Sequence, residues 1–453
     1  MSLTVAVIAA LYLAPLFLNA PLTDPNEGLH AAVSQEMVER GDLIVPRFLG
    51  RAFLDKPILF FWTQAASLRL FGMTTAAARL PGVLFALLGI ATTGWLARTL
   101  IAEDEDDAPG DAATVGWVAS VCYATMVLPF LLAQAPVHDI ALVPFTNVAL
   151  GLLWRAERRP ESAARDRFVA ALSLGLSILT KGLEGVVIVG VAYVLYLIVR
   201  RAVTWRLVGQ GVIVLAVATL VAAPWYLAMN AREPGYLWYY FFERHLLGFA
   251  TDTQRHSGQP WWFYFPYVVG GGLPWLVLVR SRRLLLWTWL GGAVLLLSLS
   301  GSKAVTYVLP ALPAVAILAA ASAPVMRVWR GVAATAAVIY AVALIGAGPF
   351  VARTHSSRDL AEYFNASGKL PSRIFVFNQR LSFVYYLRPE LRAQLHQDQV
   401  RSISVEALAA MEPFPHGAVV AVPADLAAGG LPHIPPLADA KHHVAGRYLV
   451  VVP

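Results

Sequence analysis

The sequence predicts an α-helical polytopic membrane protein with a small α/β domain at its C-terminal end. Of the 453 residues, 58% are hydrophobic and 14% are charged, whereas a soluble domain carries about 25% charged residues. The chain also contains 13 Trp and 16 Tyr, which favour membrane–water interfaces. After about residue 352 the long apolar runs give way to short segments. We therefore predict a membrane domain over residues 1–351 and an extracytoplasmic α/β domain over residues 352–453.

Long apolar runs divide the predicted membrane domain. A helix needs roughly 17–25 apolar residues to cross a bilayer. Runs near that length occur at 3–20, 77–100, 113–133, 139–154, 168–180, 183–199, 207–229, 262–279, 284–300, 304–322 and 331–350. The first run is also compatible with a signal peptide, but it lacks a basic start and ten more runs follow, so we interpret it as a span. The pattern predicts a bundle of about 11–13 transmembrane helices with additional juxtamembrane helices.

Arginine clusters predict the orientation of the bundle. They lie between the apolar runs at 155–167, 200–206, 280–283 and 327–330. If the N-terminus is cytoplasmic and residues 57–72 do not cross the membrane, all four clusters face the cytoplasm, as the positive-inside rule requires. Ile58–Phe71 is then a surface helix on the outer side. Because much of the net charge of +7 lies in these clusters, we predict no nucleic-acid partner.

The remaining polar motifs fall in loops that this topology places on the outer face. The first loop holds Thr23–His30 and Leu54–Pro57, which put carboxylates and a lysine directly after the first apolar run. The other motifs are His138-Asp139, Thr180–Gly182, the 230–261 loop and Gly301–Lys303. Ionisable groups near a membrane are costly and usually functional. We therefore predict a site assembled from several extracytoplasmic loops.

The C-terminal region has the pattern of a compact α/β domain. Helices are predicted at 358–364 and near 405–411, and short buried strands at 373–377, 383–387, 418–422 and 448–452. His442 and His443 are adjacent, so their side chains diverge in a strand, which favours a solvated pair over a metal site. The single cysteine, Cys122, excludes an intramolecular disulfide.

Several motifs occur in a consistent order along most of residues 10–322. They are Asp24–Gly28, Ala31–Met37, Gly41–Arg47, Asp55–Pro57 with Phe61-Trp62, Ala78–Pro81, Leu179–Gly182, and Ser302-Lys303 followed by Tyr307–Pro310. In this set the sequence resembles the lipid-linked-sugar-dependent GT-C glycosyltransferases, specifically the ArnT-like and protein mannosyltransferase-related group. The resemblance implies a GT-C bundle in the bacterial inner membrane. It also implies that the active site and the C-terminal domain face the periplasm or exterior.

The implied reaction transfers a sugar, with inversion, from a polyprenyl-phosphate-linked donor to an acceptor lipid, glycan or protein; lipid A is one candidate acceptor. A carboxylate is needed to take the proton of the acceptor hydroxyl. Cations are needed to stabilise the leaving phosphate. Carboxylates suited to the first task are Asp24, Glu27, Asp55 and Asp139. Groups suited to the second are Lys56, Lys181, Lys303 and Tyr307.

Other side chains are candidates for sugar, acceptor or metal contacts. Aromatic and cationic residues share the 230–261 loop, and sugars stack on aromatic faces. The candidates for sugar or acceptor contact are Asn26, His30, Tyr239, Arg244 and His245. His138, Asp139 and Asp55 are candidate ligands for a divalent metal cation. Structural alternatives also exist: Asp139 suits a helix N-terminus, and Lys181 and Lys303 suit interfacial anchors.

The sequence departs from the resembled pattern at the first acidic pair. Asn26 stands where the pattern has Asp, and Leu29 and His30 stand where it has Arg and Tyr. Because an amide cannot act as a base, either Asp24 or Glu27 takes that role or the site has changed. This departure keeps a non-catalytic polyprenyl-lipid-binding relative as an alternative. A lipid or sugar transporter (flippase) is a second alternative, although no inverted repeat is visible.

Overall fold

The computed structural model describes residues 2–102, 109–135, 137–251, 258–411, 415–424 and 441–452. The chain divides into two compact units. The first comprises residues 1–14, 54–63 and 79–341, and the second comprises residues 15–53, 64–78 and 342–453. The C-terminal segment therefore forms a unit together with two N-terminal segments, an association that the sequence does not reveal.

Helices account for most of the described chain. Up to the first long loop they are α1 (Ser2–Phe17), α2 (Asn26–Arg40), α3 (Leu59–Phe71), α4 (Thr75–Ala102), α5 (Ala112–Ala124), α6 (Val127–Gln134), α7 (His138–Arg158), α8 (Ala163–Lys181), α9 (Glu184–Val199) and α10 (Trp205–Arg232). Then follow a π-helix (Trp238–Leu247), α11 (Gly248–Ala250), α12 (Tyr264–Gly271), a 3₁₀ turn (Leu276–Leu278), α13 (Leu284–Leu299), a 3₁₀ helix (Val305–Ala311), α14 (Leu312–Ala320), α15 (Ala323–Gly346) and α16 (Gly348–Thr354). A two-stranded hairpin, β1 (Arg47–Phe48) and β2 (Arg51–Ala52), lies between α2 and α3.

Three of the described helices are long and apolar enough to cross a membrane on their own: α4, α10 and α15. The pair α5 and α6 counts as a fourth if its 59° bend is accepted within one span. Shorter apolar helices occur at Leu3–Phe17, Glu184–Val199, Leu284–Leu299 and Val305–Ala320. The helical membrane architecture is thus confirmed, while the total of about 11–13 spans stays a prediction.

The bend between α5 and α6 is stabilised by polar side chains of the first unit. The Tyr340 hydroxyl donates to the Thr125 carbonyl at 2.9 Å, and the Tyr12 hydroxyl donates to the Ala124 carbonyl at 3.0 Å. Trp275 Nε1 donates to Thr125 Oγ1 at 2.9 Å. Inside a membrane, backbone groups released by a break need internal partners. The two tyrosine hydroxyls supply such partners and Trp275 fixes the Thr125 side chain, so the break is a stable feature of the fold.

The apolar run 262–279 does not form the continuous span that its composition predicts. It folds as the eight-residue helix α12, followed by turns and the short 3₁₀ turn. Three consecutive glycines, Gly270–Gly272, and Pro274 lie at the break. Glycine weakens a helix and proline lacks the N–H that would continue it. These residues interrupt the helix even though the run is apolar throughout.

The second unit contains a mixed five-stranded sheet with the order β4-β3-β5-β7-β6. Its strands are β3 (Arg373–Phe377), β4 (Val400–Ile403), β5 (Ala418–Pro423), β6 (Lys441–Ala445) and β7 (Tyr448–Val452), and its helices are α17 (Arg358–Ser367), α18 (Phe383–Tyr386), α19 (Pro389–Gln394) and α20 (Val405–Ala409). Strand β3 pairs in parallel with β4 and β5, whereas β7 is antiparallel to β5 and β6. One side of the sheet covers a core that includes Phe375, Val420 and Val451. The predicted C-terminal α/β fold is confirmed.

Residues 383–387 were predicted as a strand, and this prediction is wrong. They form the short helix α18, in which Phe383, Val384 and Tyr385 are all buried. The Tyr385 hydroxyl also donates to the Thr74 carbonyl at 2.9 Å. Aromatic and β-branched residues favour strands only where a sheet surface is available to them. Here burial on several sides is achieved by one helical turn.

Candidate active site

Polar side chains gather in the first unit at points where helices begin or end. Asp139 lies in the first turn of α7 and Lys181 is the last residue of α8. The two helices are joined by the short connection 159–162 and pack against each other. An antiparallel pair brings the start of one helix beside the end of the next. The spacing of the two motifs along the chain therefore places them side by side.

Lys181 forms the centre of this cluster. Its ammonium pairs with the Asp139 carboxylate and lies 2.6 Å from Glu184 Oε2. It also lies 3.8 Å from the centre of the Tyr307 ring. The Lys181 and Asp139 side chains are 5% and 6% exposed. Two carboxylates and one aromatic face thus surround a single buried cation.

A second pair forms where the loop before α3 meets the π-helix. Arg244 Nη1 donates to Asp55 Oδ1 at 3.0 Å, and the Tyr239 hydroxyl donates to the same oxygen at 3.2 Å. In a π-helix, residues five apart are hydrogen-bonded and lie on one face. In an α-helix, with 3.6 residues per turn, they would point about 140° apart. The π-helix is therefore what lets Tyr239 and Arg244 reach the same carboxylate.

Lys56 differs from Lys181 in its partners. Its side chain is partly buried, and the residues that the structure describes provide no carboxylate in ion-pair contact with it. Burial and the nearby charge of Lys181 lower the pKa of Lys56 to about 8. The Lys56 side chain is therefore still mostly in its protonated, ammonium form at neutral pH. It is the cation of the cluster best suited to an incoming anion.

His245 holds the π-helix against the end of α8. Its Nδ1 lies 2.6 Å from the Tyr240 carbonyl oxygen. Gly182 has φ +74°, and a Cβ at that position would lie 2.7 Å from His245 Nε2. Burial lowers the pKa of His245, which favours the neutral imidazole. Glycine is required for this close approach.

Two other predicted site residues have different surroundings. Lys303 donates to the carbonyls of Ser300 at 2.6 Å and Gln259 at 3.3 Å, and it is 7% exposed. The His138 ring is buried, with ring centroids 4.6 Å from Phe60 and 4.8 Å from Phe61. The structure thus surrounds Lys303 with backbone carbonyls and His138 with aromatic rings.

The three candidate metal ligands are not brought together. Asp139 pairs with Lys181, Asp55 pairs with Arg244, and His138 packs between aromatic rings. Among the described residues, no group of three or more His, Cys, Asp or Glu side chains is placed to hold a metal ion. These residues therefore do not form a ligand set for a divalent cation.

The first acidic motif lies in the second unit, where its carboxylates hold backbone. Asp24 Oδ1 accepts from the amides of Leu381 and Ser382 at 2.7 and 2.6 Å, and Oδ2 accepts from two serine hydroxyls. Burial raises the pKa of Asp24 to about 6, although these hydrogen bonds oppose the rise. Glu27 Oε2 accepts from the Thr23 amide at 2.7 Å and from its hydroxyl at 3.0 Å. Both acids thus stabilise the start of α2.

The other two residues of this motif are an amide and a histidine. Asn26 is the first residue of α2 and its side chain is exposed. His30 is 5% exposed, and its ring contacts Phe53 edge to face. Gly28 lies so close to Ser382, the residue before α18, that a Cβ on Gly28 would lie 2.2 Å from Ser382 Cβ. Of the four polar residues, Asn26 is therefore the one presented to solvent.

Glu184 is a member of the cluster that the sequence analysis missed. It is the first residue of α9 and opens a long apolar run. An acidic residue at a helix N-terminus is common for structural reasons alone. The available signal was its position two residues after the Lys181-Gly182 pair, where α8 ends.

The sequence and the fold both resemble known glycosyltransferases. Residues 55–227 match the family described as dolichyl-phosphate-mannose-protein mannosyltransferase. An undecaprenyl phosphate-alpha-4-amino-4-deoxy-L-arabinose arabinosyl transferase from Aeromonas hydrophila is 31% identical over 69% of this chain and 58% of its own length. A protein of the same name from Pectobacterium carotovorum is 30% identical over 76% of this chain and 64% of its own length. The chain thus spans less than two thirds of the length of these curated relatives.

A solved structure shares the fold. The crystal structure of ArnT from Cupriavidus metallidurans bound to undecaprenyl phosphate superposes with a TM-score of 0.74. The alignment covers 99% of this chain and 97% of the ArnT chain, at 22% sequence identity. The two proteins therefore have the same architecture along nearly their whole lengths.

Proposed function

Because the chain resembles the ArnT-like group of GT-C glycosyltransferases in sequence and in fold, we propose that it belongs to this group and transfers a sugar from a polyprenyl-phosphate donor to an acceptor. The curated relatives are named as undecaprenyl phosphate-alpha-4-amino-4-deoxy-L-arabinose arabinosyl transferases, and the ArnT crystal structure contains bound undecaprenyl phosphate. The reaction takes place at the outer face of the bacterial inner membrane, in the orientation that the arginine clusters favour. The acceptor is a lipid, a glycan or a protein.

One observation supports the proposal above all: Lys56 is partly buried and lies beside an arginine and a carboxylate, yet no carboxylate among the described residues forms an ion pair with it. Lys56 follows Asp55 directly in the chain, and Asp55 is hydrogen-bonded to Arg244. In a site of low dielectric, cations stabilise a leaving phosphate far more than they would in water. Lys56 and Arg244 bind the donor phosphate, and the Lys181 cluster fixes the shape of the site around them.

The chemical step needs one proton acceptor. The acceptor oxygen attacks the anomeric carbon, the bond from that carbon to the phosphate oxygen breaks, and its electron pair stays on the phosphate. Both hydrogen bonds described for Asp55 reach Oδ1, which leaves Oδ2 to take the acceptor proton. The side chain is 44% exposed, so an acceptor can approach it. Asp55 is therefore the proposed base and Lys56 the proposed phosphate ligand.

Turnover of defined donors tests this function. We expect purified wild-type protein to release sugar from a radiolabelled polyprenyl-phosphate-sugar and transfer it to an acceptor. Asp55→Asn and Lys56→Met should reduce turnover by about a hundredfold or more. Glu161→Gln, which changes an exposed residue between α7 and α8, is the control and should keep wild-type activity. Equal activity in all four proteins would refute the assigned roles.

A binding protein without turnover is the second candidate, and Asn26 is the observation that favours it. This exposed amide stands where the resembled pattern has an acid. Saturable binding of a polyprenyl-phosphate-sugar, with no transfer to any acceptor in a panel of lipids, glycans and peptides, would support this candidate. Transfer that depends on Asp55 would exclude it.

A further inference from the structure

Glu184 carries an unusual carboxylate. One oxygen, Oε2, lies 2.6 Å from the Lys181 ammonium. The other, Oε1, is closed to solvent and has no hydrogen-bond partner among the residues that the structure describes. The side chain as a whole is 16% exposed, so the residue borders accessible space.

A buried carboxylate oxygen without a partner is expected to accept a hydrogen bond from a donor. An ionised carboxylate offers about four acceptor positions, and buried polar atoms in proteins are nearly always hydrogen-bonded. Lys181 is shared with Asp139 and lies against the Tyr307 ring, which holds its ammonium near Oε2. The described side chains therefore supply a partner for Oε2 and none for Oε1.

The surroundings of Glu184 identify the missing donor chemically. Glu184 interacts electrostatically with Asp139 and with Lys56, the proposed phosphate ligand. A phosphate oxygen cannot satisfy Oε1, because both are negatively charged acceptors. A hydroxyl or an amino group can, and charge-assisted hydrogen bonds to a carboxylate are strong. On a polyprenyl-phosphate-sugar, these groups belong to the sugar.

We propose that Glu184 recognises the donor sugar, with Oε1 accepting a hydrogen bond from a hydroxyl or amino group of the sugar whose phosphate is bound by Lys56. This inference rests on the proposed function and adds a specificity-determining residue to it. The contact forms no covalent bond and leaves the proton transfer to Asp55. Glu184 then recognises the sugar and Lys56 the lipid phosphate, so the two contacts can be tested separately.

Equilibrium binding of two ligands to the full-length protein in lipid nanodiscs tests this separation. The ligands are polyprenyl phosphate alone and the same lipid carrying the sugar, each measured with wild type, Glu184→Ala, Glu184→Gln and the control Glu161→Gln. We expect Glu184→Ala to weaken binding of the sugar-bearing donor by about tenfold or more. Binding of polyprenyl phosphate alone should change by less than about twofold.

A donor series locates the contact. For each hydroxyl or amino group, a deoxy donor is compared with the parent donor on wild type and on Glu184→Ala. One deoxy donor should lose affinity on wild type and show no further loss on the variant, because the partner of the missing group is already gone. Glu184→Gln keeps an acceptor oxygen of similar shape, so it should retain part of the affinity for hydroxyl donors.

Other outcomes overturn the proposal. Equal weakening of both ligands by Glu184→Ala and Glu184→Gln would mean that the residue acts only by holding Lys181. Unchanged affinity for both ligands would show that no contact exists. Wild-type protein that binds neither ligand would refute this proposal and the proposed function together. Binding of the sugar that depends on Glu184, without turnover, would refute only the enzymatic function.

Discussion

At the residue scale, Lys181 and Lys56 of the candidate site differ in their ion-pair partners. Lys181 is held by Asp139, Glu184 and the Tyr307 ring. Removing Lys181 would leave both buried carboxylates without their cation, whereas removing Glu184 would leave Lys181 paired with Asp139. Lys56 has no such carboxylate pairing among the described residues, and its pKa is about 8. The first lysine therefore organises the site, and the second is available to a ligand.

Donor binding should depend on the protonation of Lys56. The protonated form dominates below pH 8, and the proportion of ammonium falls as the pH rises through that value. We therefore expect affinity for a polyprenyl phosphodiester donor, which does not itself titrate in this range, to fall by about tenfold between pH 7 and pH 9.5. Equilibrium binding at a series of pH values measures this.

Lys56→Arg is the matched variant for this experiment. An arginine stays protonated throughout the range, so its profile should be nearly flat even if its absolute affinity differs. A flat wild-type profile would contradict the role of Lys56 as the titrating phosphate ligand. The same slope in wild type and Lys56→Arg would place the titrating group elsewhere.

The sequence predicted individual residues unevenly. Asp55, Lys56, Asp139, Lys181 and Tyr307 were predicted from short polar motifs, and the structure places them in the first unit with contacts among several of them. Glu184 was missed because one acid at the start of an apolar helix has an ordinary structural explanation. Its unpaired oxygen is a property of three-dimensional packing and has no counterpart in the sequence.

At the element scale, Arg244 is positioned by the π-helix and by the turn at Gly182, where α8 ends. The π-helix hydrogen-bonding pattern aligns Tyr239 with Arg244, and His245 fastens this helix beside the end of α8. π-Helices are rare and occur frequently at functional sites. A sequence pattern could place aromatic and cationic residues in the 230–261 loop, but it could not predict the additional residue per turn that aligns them.

Gly182→Ala should disturb this arrangement. The residue would have to adopt φ +74°, and its Cβ would lie 2.7 Å from His245 Nε2 and 2.8 Å from the Tyr240 hydroxyl. We expect a loss of about 1–3 kcal/mol in stability and weaker donor binding, because the segment that carries Arg244 must move. Thermal unfolding in detergent and donor affinity measure the two effects.

Gly190→Ala is the control for this substitution. Gly190 lies within α9, and no atom lies within 4 Å of a Cβ at that position. Alanine favours a helix relative to glycine, so the melting temperature should stay the same or rise slightly, with unchanged donor affinity. If Gly182→Ala had the stability and donor affinity of the wild type, the turn at Gly182 would not be what positions the π-helix.

At the scale of the whole molecule, hydropathy predicted the architecture better than it predicted the units. The helical bundle and the C-terminal sheet follow from composition and periodicity. The association of residues 15–53 and 64–78 with the C-terminal segment depends on contacts distant in sequence, such as the bonds from Leu381 and Ser382 to Asp24. Asp24 lies in an acidic motif that suggested catalysis, and only the tertiary structure reveals that its oxygens bind backbone.

Orientation in the membrane can be tested by labelling because the one cysteine is shielded. Cys122 is buried and 0% exposed, so wild-type protein should react little with a membrane-impermeant maleimide. Glu161→Cys places a thiol in an arginine-rich loop predicted to be cytoplasmic, and Glu390→Cys places one on an exposed position of the C-terminal unit. In intact spheroplasts, Glu390→Cys should be labelled and Glu161→Cys should not. In permeabilised cells, both variants should be labelled.

If only Glu161→Cys were labelled in intact spheroplasts, the topology would be the reverse of the predicted one. The C-terminal unit would then face the cytoplasm, and the proposed transfer at the outer face would be excluded.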